Sequence, residues 1–219
     1  MSGLPSLGAR NIETVTPAEH TPSDEVDRNR AENWDVLALL LSGAPSDQTL
    51  GLLAQVSGDE TALGQAWRGL AQVAGETDSA MAEREFFDLF IGVGRGELLP
   101  YASFYITGFL NERPLAELRG DLARLGIARQ SGDHDPEDRI ALLCAIMAAY
   151  ARGDLGHGPG PSQGDFFARH LAPWAAAFFE DLANAPAARF YAALARVGRE
   201  FIAIETQGFA LAAQERAIA

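Results

Sequence analysis

The chain contains no lysine. All 17 of its basic residues are arginine, and with 30 acidic residues they give a formal net charge of −13 over 219 residues. Without lysine there can be no Schiff-base chemistry and no phosphate-loop lysine. The negative charge disfavours nucleic acid as a partner, because phosphates are bound by lysine and arginine. It favours either a merely soluble acidic surface or a basic partner.

Cysteine and long apolar runs are equally scarce. The only cysteine, Cys144, cannot form an internal disulfide, and its apolar surroundings predict a buried thiol. Residues 1–22 lack the apolar core of a signal peptide, and no stretch approaches the roughly 20 apolar residues of a membrane helix. We therefore expect a cytoplasmic protein with no stable membrane insertion.

Familiar motifs of metal and thiol chemistry are missing as well. The sequence has no Glu-x-x-His pair and no Cys-x-x-Cys. Its four histidines are scattered, and the helical one, His170, is better interpreted as a packed or capping residue than as a metal ligand. We predict a binding protein that is not an enzyme and holds no cofactor or metal.

Helical periodicity runs through most of the chain after residue 22. Apolar residues recur at the spacing of a helix face, most clearly between Leu63 and Ala74, and no stretch alternates like a half-buried strand. The pattern predicts an all-α fold, a bundle of about eight helices. We expect a disordered tail at residues 1–22 and a single all-helical domain at 23–219, with a flexible, hinge-like glycine-rich loop near 153–164.

Proline and glycine predict several helix boundaries. Pro114 and Gly126 suit the first turn and the end of one helix, and Pro173 should kink or restart another. Asp135 and Pro136 suit the N-cap and the first residue of the helix between those two. In the last helix we expect these residues to face inward: Phe190, Leu194, Val197, Phe201 and Ile204.

Large aromatic residues flank a three-glycine loop between residues 83 and 110. Phe86 and Phe90 are four residues apart and are expected in the core. Phe87 lies about 100° further round the helix, where core packing and the lining of a groove are equally good interpretations. The loop itself, 92–96, follows a helix rather than a strand, which indicates a terminator and turn rather than a nucleotide site. The period of residues 101–110 is ambiguous.

Three acids lie together at Asp135, Glu137 and Asp138. At a helix start they would stabilise the positive end of the helix dipole. They could instead face an arginine of a bound peptide through charge-assisted hydrogen bonds. The residues alone leave both interpretations open.

The order of these elements resembles the TorD/DmsD/NarJ family of molybdoenzyme chaperones, over roughly residues 30–210. The similarity rests on an aromatic element, the glycine loop, a run after it, and an acid-Pro-x-Asp element about 35 residues later. These are Phe86-Phe87-Asp88-Leu89-Phe90, residues 92–96, Pro100-Tyr101-Ala102-Ser103-Phe104-Tyr105, and residues 135–138. The stretch 104–115 looks most like members associated with formate dehydrogenases.

The resemblance implies a larger N-terminal part and a smaller C-terminal part joined by a hinge. It implies a cytoplasmic chaperone that binds the twin-arginine leader and the apo form of a molybdopterin oxidoreductase catalytic subunit. Such a chaperone assists cofactor insertion and holds back export until assembly is complete.

The family signature Glu-Pro-x-Asp-His corresponds here to residues 135–139. Pro136 and Asp138 match it, and Asp135 is a conservative change. Arg139 replaces a histidine, and its permanent charge would repel a leader arginine unless Asp138 or Glu137 neutralises it.

The implied leader site combines an aromatic groove with acids for the leader's arginines. Its candidate residues are Phe87, Phe90, Tyr101, Tyr105, Asp135, Glu137, Asp138 and Arg139. We expect Phe87→Ala and Asp138→Ala to reduce leader binding more than they reduce stability.

Other interpretations stay open. The chain could be a non-catalytic assembly subunit of a respiratory oxidoreductase complex, or a helical enzyme with an unrecognised pocket. It could be a monomer or a dimer.

Overall fold

The computed structural model describes residues 22–128 and 135–218, with side chains from 25 to 217 inside those ranges. These residues form ten α-helices and one π-helical turn, the π segment, which directly follows the fourth helix. The helices are α1 (Pro22–Ser42), α2 (Asp47–Leu53), α3 (Ala62–Gly75), α4 (Ser79–Phe86), α5 (Ala102–Thr107), α6 (Arg113–Arg124), α7 (Ile140–Ala151), α8 (Gln163–His170), α9 (Ala175–Asn184) and α10 (Phe190–Ile218), and the π segment is Phe87–Ile91. The described residues contain no β-strand, so the all-α prediction is confirmed.

One continuous apolar core joins helices from both ends of the described chain. Helix α1 packs along α7, and α10 packs against α9 and α3. Nine of the twelve residues of α7 are buried, including Cys144, so this helix is apolar on every side and lies at the centre. The largest fully buried side chains include Trp34, Trp174, Tyr191, Phe166, Phe167, Phe178, Phe179 and Phe190.

Side-chain caps explain where several helices begin. Ser46, Thr61, Asp78 and Ser162 each accept a hydrogen bond from a backbone N–H in the first turn of the helix that follows. Helix α10 is capped from a distance, because the Glu85 carboxylate of α4 accepts the amides of the residues that open it. These are Arg189 at 2.8 Å, Phe190 at 3.1 Å and Tyr191 at 2.7 Å. The cap fixes α4, and the π segment after it, to the start of the longest helix.

The helix count is close to the expected eight, and two features account for the difference in the described residues. The ambiguous stretch 101–110 contains the short helix α5, which ends at Gly108 in the left-handed region (φ 82°). Pro173 separates α8 from α9, as expected, so that region contains two helices. The prediction that Ile204 of α10 faces inward is wrong, because its side chain is 49% exposed.

The expected start of α7 is also wrong. Asp135 and Pro136 are not its N-cap and first residue, because the helix begins at Ile140 with Arg139 as N-cap. Residues 138–140 instead pair with residues 100–102: the amide of Ala102 donates to the Asp138 carbonyl at 3.0 Å and that of Ile140 to the Pro100 carbonyl at 2.9 Å. This tertiary pairing holds Arg139 extended (φ −68°, ψ 137°) and outweighs the local capping signal.

The described helices include none that is both long and apolar enough to cross a bilayer. The predicted tail lies outside the described residues, apart from Pro22. Residues 153–162 form a loop between α7 and α8, where the Tyr150 hydroxyl donates to the Pro161 carbonyl at 2.7 Å. The flexibility of this loop, the hinge and the extent of the domain stay predictions.

Candidate peptide-binding site

The glycine loop folds back onto the π segment. The amide of Gly92 donates to the Phe87 carbonyl at 2.7 Å and so closes the wide turn of the π-helix. On the return, the amides of Glu97 and Leu98 donate to the carbonyls of Asp88 (3.1 Å) and Leu89 (2.8 Å). The loop therefore satisfies carbonyl groups that the end of a helix would leave without a partner.

Gly96 is required by this close return. A Cβ atom at this position would lie 2.6 Å from the Leu89 carbonyl oxygen and 2.6 Å from the Phe90 carbonyl carbon. Both are backbone atoms, which cannot move aside cheaply. The loop is therefore a terminator and turn, as the sequence indicated.

The three phenylalanines divide between core and surface. Phe86 is buried and Phe90 is half-buried, and their rings lie 5.8 and 5.5 Å from the ring of Tyr191 in α10. The prediction that both face inward is confirmed. Phe87, for which core and groove were equally good, is 41% exposed. It lies at the surface beside the glycine loop.

More apolar side chains are exposed around this loop. Ile91 is 54% exposed and Val93, near the loop tip, is 98% exposed. The Arg95 guanidinium lies 5.3 Å from the ring centroid of Phe104, which brings the loop against α5. Just beyond Phe104, Phe109 is 69% exposed. Ile106 of α5 is 41% exposed. We call Phe87, Ile91, Val93, Ile106 and Phe109, the exposed apolar residues of the stretch 87–109, the apolar surface; exposed apolar side chains that gather in one patch are typical of interaction sites.

Asp138 is 1% exposed and lies beside the start of α5. One of its carboxylate oxygens, Oδ2, accepts the Ser103 amide at 2.7 Å and also the Ser103 hydroxyl. Helix α5 begins there, and its N-cap residue Tyr101 provides no side-chain cap. Asp138 thus caps α5 from outside, while its other oxygen, Oδ1, is buried with no hydrogen-bond partner among the described residues. In this arrangement a bound peptide would not reach it.

Arg139 forms an ion pair with Asp135, and not with Asp138 or Glu137. Its Nη1 lies 2.7 Å from Asp135 Oδ2, and its Nη2 donates to the Leu41 carbonyl at 3.3 Å. The Tyr101 hydroxyl donates to the other oxygen of Asp135 at 3.2 Å. Burial and the neighbouring charge of Asp135 raise the pKa of Tyr101 to about 12, so the phenol stays protonated. Glu137 pairs with Arg119 at 2.7 Å.

Tyr105 packs towards helix α9. Its hydroxyl donates to Asp181 of α9 at 3.0 Å, and its ring lies 5.3 Å from Trp174 and 5.9 Å from Phe178. Burial, followed by the bond to Asp181, raises the pKa of Tyr105 well above its usual range. Tyr105 joins α5 to α9.

The sequence analysis did not predict a buried ionic cluster, which lies around Asp121. Asp121 is 1% exposed, with His170 Nε2 at 2.7 Å, Arg169 Nη1 at 2.8 Å and the guanidinium of Arg124 also in contact. Burial acts to raise the pKa of Asp121, but the bonds from His170 and Arg124 hold it below its usual value. One sequence feature could have indicated this cluster: Asp121 directly precedes Leu122 of the apolar stripe of α6, so a charged residue lies next to the buried face of the helix. His170 is therefore a packed residue, and no group in the described part of the chain could hold a metal ion.

The predicted site residues thus fall close together, in different roles. Tyr101, Asp135, Asp138 and Arg139 meet where residues 100–103 cross 135–140. Phe87 and Phe90 approach the same region through the return of the glycine loop, and Tyr105 extends it towards α9. Whether these residues bind a peptide stays a prediction. The arrangement can present apolar and aromatic surface beside acids. The described residues place no nucleophile, metal-binding group or paired acid and base against it.

Comparison with known proteins gives a consistent picture. A family model described as the nitrate reductase delta subunit matches residues 57–180. The chain is 33% identical over 126 residues to Chaperone protein TorD from Vibrio cholerae serotype O1, which covers 54% of this chain and 57% of that protein. It is 26% identical over 149 residues to Chaperone protein TorD from Shewanella loihica, covering 63% and 67%. The chain thus matches little more than half the length of the Vibrio relative.

A solved structure shares the fold. A proposed redox enzyme maturation protein from Archaeoglobus fulgidus superposes with a TM-score of 0.50 at 16% identity, covering 87% of this chain and 98% of the other. At this identity the likeness concerns the helical architecture alone.

Proposed function

The chain belongs to the nitrate reductase delta subunit family, which includes the TorD and NarJ proteins, and we propose that it is a molybdoenzyme maturation chaperone. The similarity to proteins named Chaperone protein TorD supports this role. So does the absence of catalytic groups around the apolar surface among the described residues. The protein acts by binding, without covalent chemistry or a cofactor of its own.

In its finer form, the proposal concerns a leader peptide. The chain binds the twin-arginine leader and the apo form of a molybdopterin oxidoreductase catalytic subunit in the cytoplasm. It assists cofactor insertion and delays export until assembly is complete. A formate dehydrogenase is the client that the stretch 104–115 favours.

The observation that carries the proposal is the apolar surface, which lies entirely inside the region that matches the family. A leader has an apolar segment that can form a helix and lie in such a groove. Phe87 would contact this segment directly, and Tyr101 and Tyr105 would line the groove beside it.

The remaining predicted residues support the groove rather than face it. Phe90 packs on Tyr191, and Asp138 holds the start of α5. Arg139 and Glu137 are held in ion pairs with Asp135 and Arg119. The net charge of −13 would speed the approach of a cationic leader in a salt-dependent way.

A titration of the full chain with a labelled twin-arginine leader tests the proposal. Phe87→Ala should weaken binding by about tenfold or more, since burying a large apolar side chain contributes about 1.5–3 kcal/mol. Leu52→Ala is the matched control, because Leu52 is 63% exposed and belongs to α2, outside the stretch 87–109. Failure of the folded protein to bind any twin-arginine leader at low salt would count against the proposal.

A second candidate is a non-catalytic assembly subunit. The family description favours it, since it names a subunit rather than a chaperone. Such a protein would stay bound to the mature enzyme, whereas a chaperone leaves. Stable co-elution of the chain with the cofactor-loaded enzyme would support the subunit.

A further inference from the structure

A groove lies between the end of the glycine loop and the connection from α9 to α10. We call it the linker groove; its lining residues are Glu97, Leu98, Asp181, Asn184, Ala185 and Pro186, and its volume is about 560 Å³. It borders the apolar surface, because Glu97 and Leu98 are the residues whose amides bond the π segment beside Phe87.

The linker groove combines an apolar wall with two carboxylates. Leu98, Ala185 and Pro186 provide the wall. Among the described residues, Asp181 accepts the Tyr105 hydroxyl, at 3.0 Å, and Glu97 accepts the Ala187 amide, at 3.4 Å. Neither carboxylate has an arginine partner in the parts of the chain that the structure describes.

The acids of the family signature differ in this respect. Asp135 is paired with Arg139, Glu137 with Arg119, and Asp138 is buried against Ser103. A leader arginine would have to displace an internal arginine to reach the first two. The carboxylates of the linker groove require no such displacement.

An arginine-bearing peptide fits the groove chemically. A guanidinium is planar, carries several donors and bonds carboxylates in pairs, while its aliphatic stem packs on apolar side chains. The volume lies within the range of about 300–1,000 Å³ usual for ligand sites, so one arginine with its neighbouring residues can enter. The surrounding negative charge favours a cation over an acidic or neutral peptide.

We propose that the linker groove binds an arginine side chain of the leader through Glu97 and Asp181, while the leader's apolar segment lies on the apolar surface. This inference rests on the proposed function and adds the site that binds the leader's arginine. That site is the linker groove and not residues 135–138. Tyr105 orients Asp181 and is a positioning residue.

A double-mutant cycle tests this inference. The chain carries Glu97→Gln and Asp181→Asn, singly and together, and the leader carries either its two arginines or two glutamines in their place. The double variant should bind the arginine leader about tenfold more weakly than the wild type and the glutamine leader with unchanged affinity. Glu83→Gln, an exposed acid on α4, controls for the one charge lost in each single variant, and Glu83→Gln with Asp88→Asn, two exposed acids, controls for the two lost in the double variant. Thermal melts confirm that each variant is folded.

The outcomes separate the inference from the function. Equal losses for both leaders would show that the groove takes an apolar segment, and would overturn the inference. Unchanged binding of the arginine leader to the double variant would also overturn it, while leaving the chaperone proposal intact. If the wild type binds neither leader, the proposed function fails and the inference with it.

Discussion

Replacing Asp138 with alanine tests whether the most conspicuous acid of the family signature is structural. The change removes the acceptor of the Ser103 amide and hydroxyl, both buried at the start of α5. Each hydrogen bond to a charged group contributes about 1.5–3 kcal/mol. Removing a buried carboxylate whose Oδ1 has no described partner offsets part of that loss. We expect a net decrease of about 3 kcal/mol in the free energy of unfolding, a large share of the 5–15 kcal/mol of a typical domain.

Urea unfolding followed by circular dichroism measures this decrease. Glu83→Ala, which removes an exposed acid of α4, should leave the midpoint unchanged. Ser103→Ala combined with Asp138→Ala should cost much less than the sum of the single variants, because they share one interaction. A loss under about 0.5 kcal/mol for Asp138→Ala, or strict additivity, would refute the structural role. This expected loss of stability differs from the sequence-based expectation that Asp138→Ala reduces leader binding more than stability, and the urea titration distinguishes the two.

Acidification below about pH 6.5 should destabilise the fold through His170. In the folded protein, burial outweighs the attraction of Asp121 and keeps the imidazole pKa below its usual value. The unfolded chain binds a proton near pH 6.5, so protonation favours unfolding. The loss of unfolding free energy between pH 7.5 and 5 should shrink in His170→Gln, and an unchanged pH dependence would contradict this. Burial also raises the pKa of Cys144 far above its usual range, so a thiol reagent should react only on unfolding, and rapid labelling of the native protein would be contrary evidence. Gly96→Ala should cost about 1–3 kcal/mol in urea unfolding, since its Cβ meets backbone. Gly120→Ala, in a helix with open space around it, should instead stabilise by about 0.5–1 kcal/mol, and equal effects of the two variants would refute the steric argument.

The helices were predictable where the signals are local. The apolar period between Leu63 and Ala74 and the proline at 114 depend only on neighbouring residues, and α3 and α6 occur where those signals place them. The helix start expected at Asp135 failed for the opposite reason. Its capping signal competes with backbone pairing to residues 100–102, which are far away in the sequence and invisible to a local pattern.

The site was predictable in composition but less so in geometry. Aromatic residues and acids are present as expected, but the π segment that places Phe87 at the surface has no sequence pattern of its own. It depends on the return of the glycine loop and on Tyr191, more than 100 residues away. Likewise, nothing local indicates that Arg139 pairs with Asp135 or that Asp181 receives the Tyr105 hydroxyl.

The maturation role is tested most directly by comparing two forms of one client. Calorimetric titration would measure binding of the full chain to a leader-bearing apo catalytic subunit and to the mature, cofactor-loaded subunit. A chaperone should bind the apo form at least tenfold more tightly, since it must release the finished enzyme. Equal affinity for the two forms would contradict the chaperone role and favour a permanent subunit.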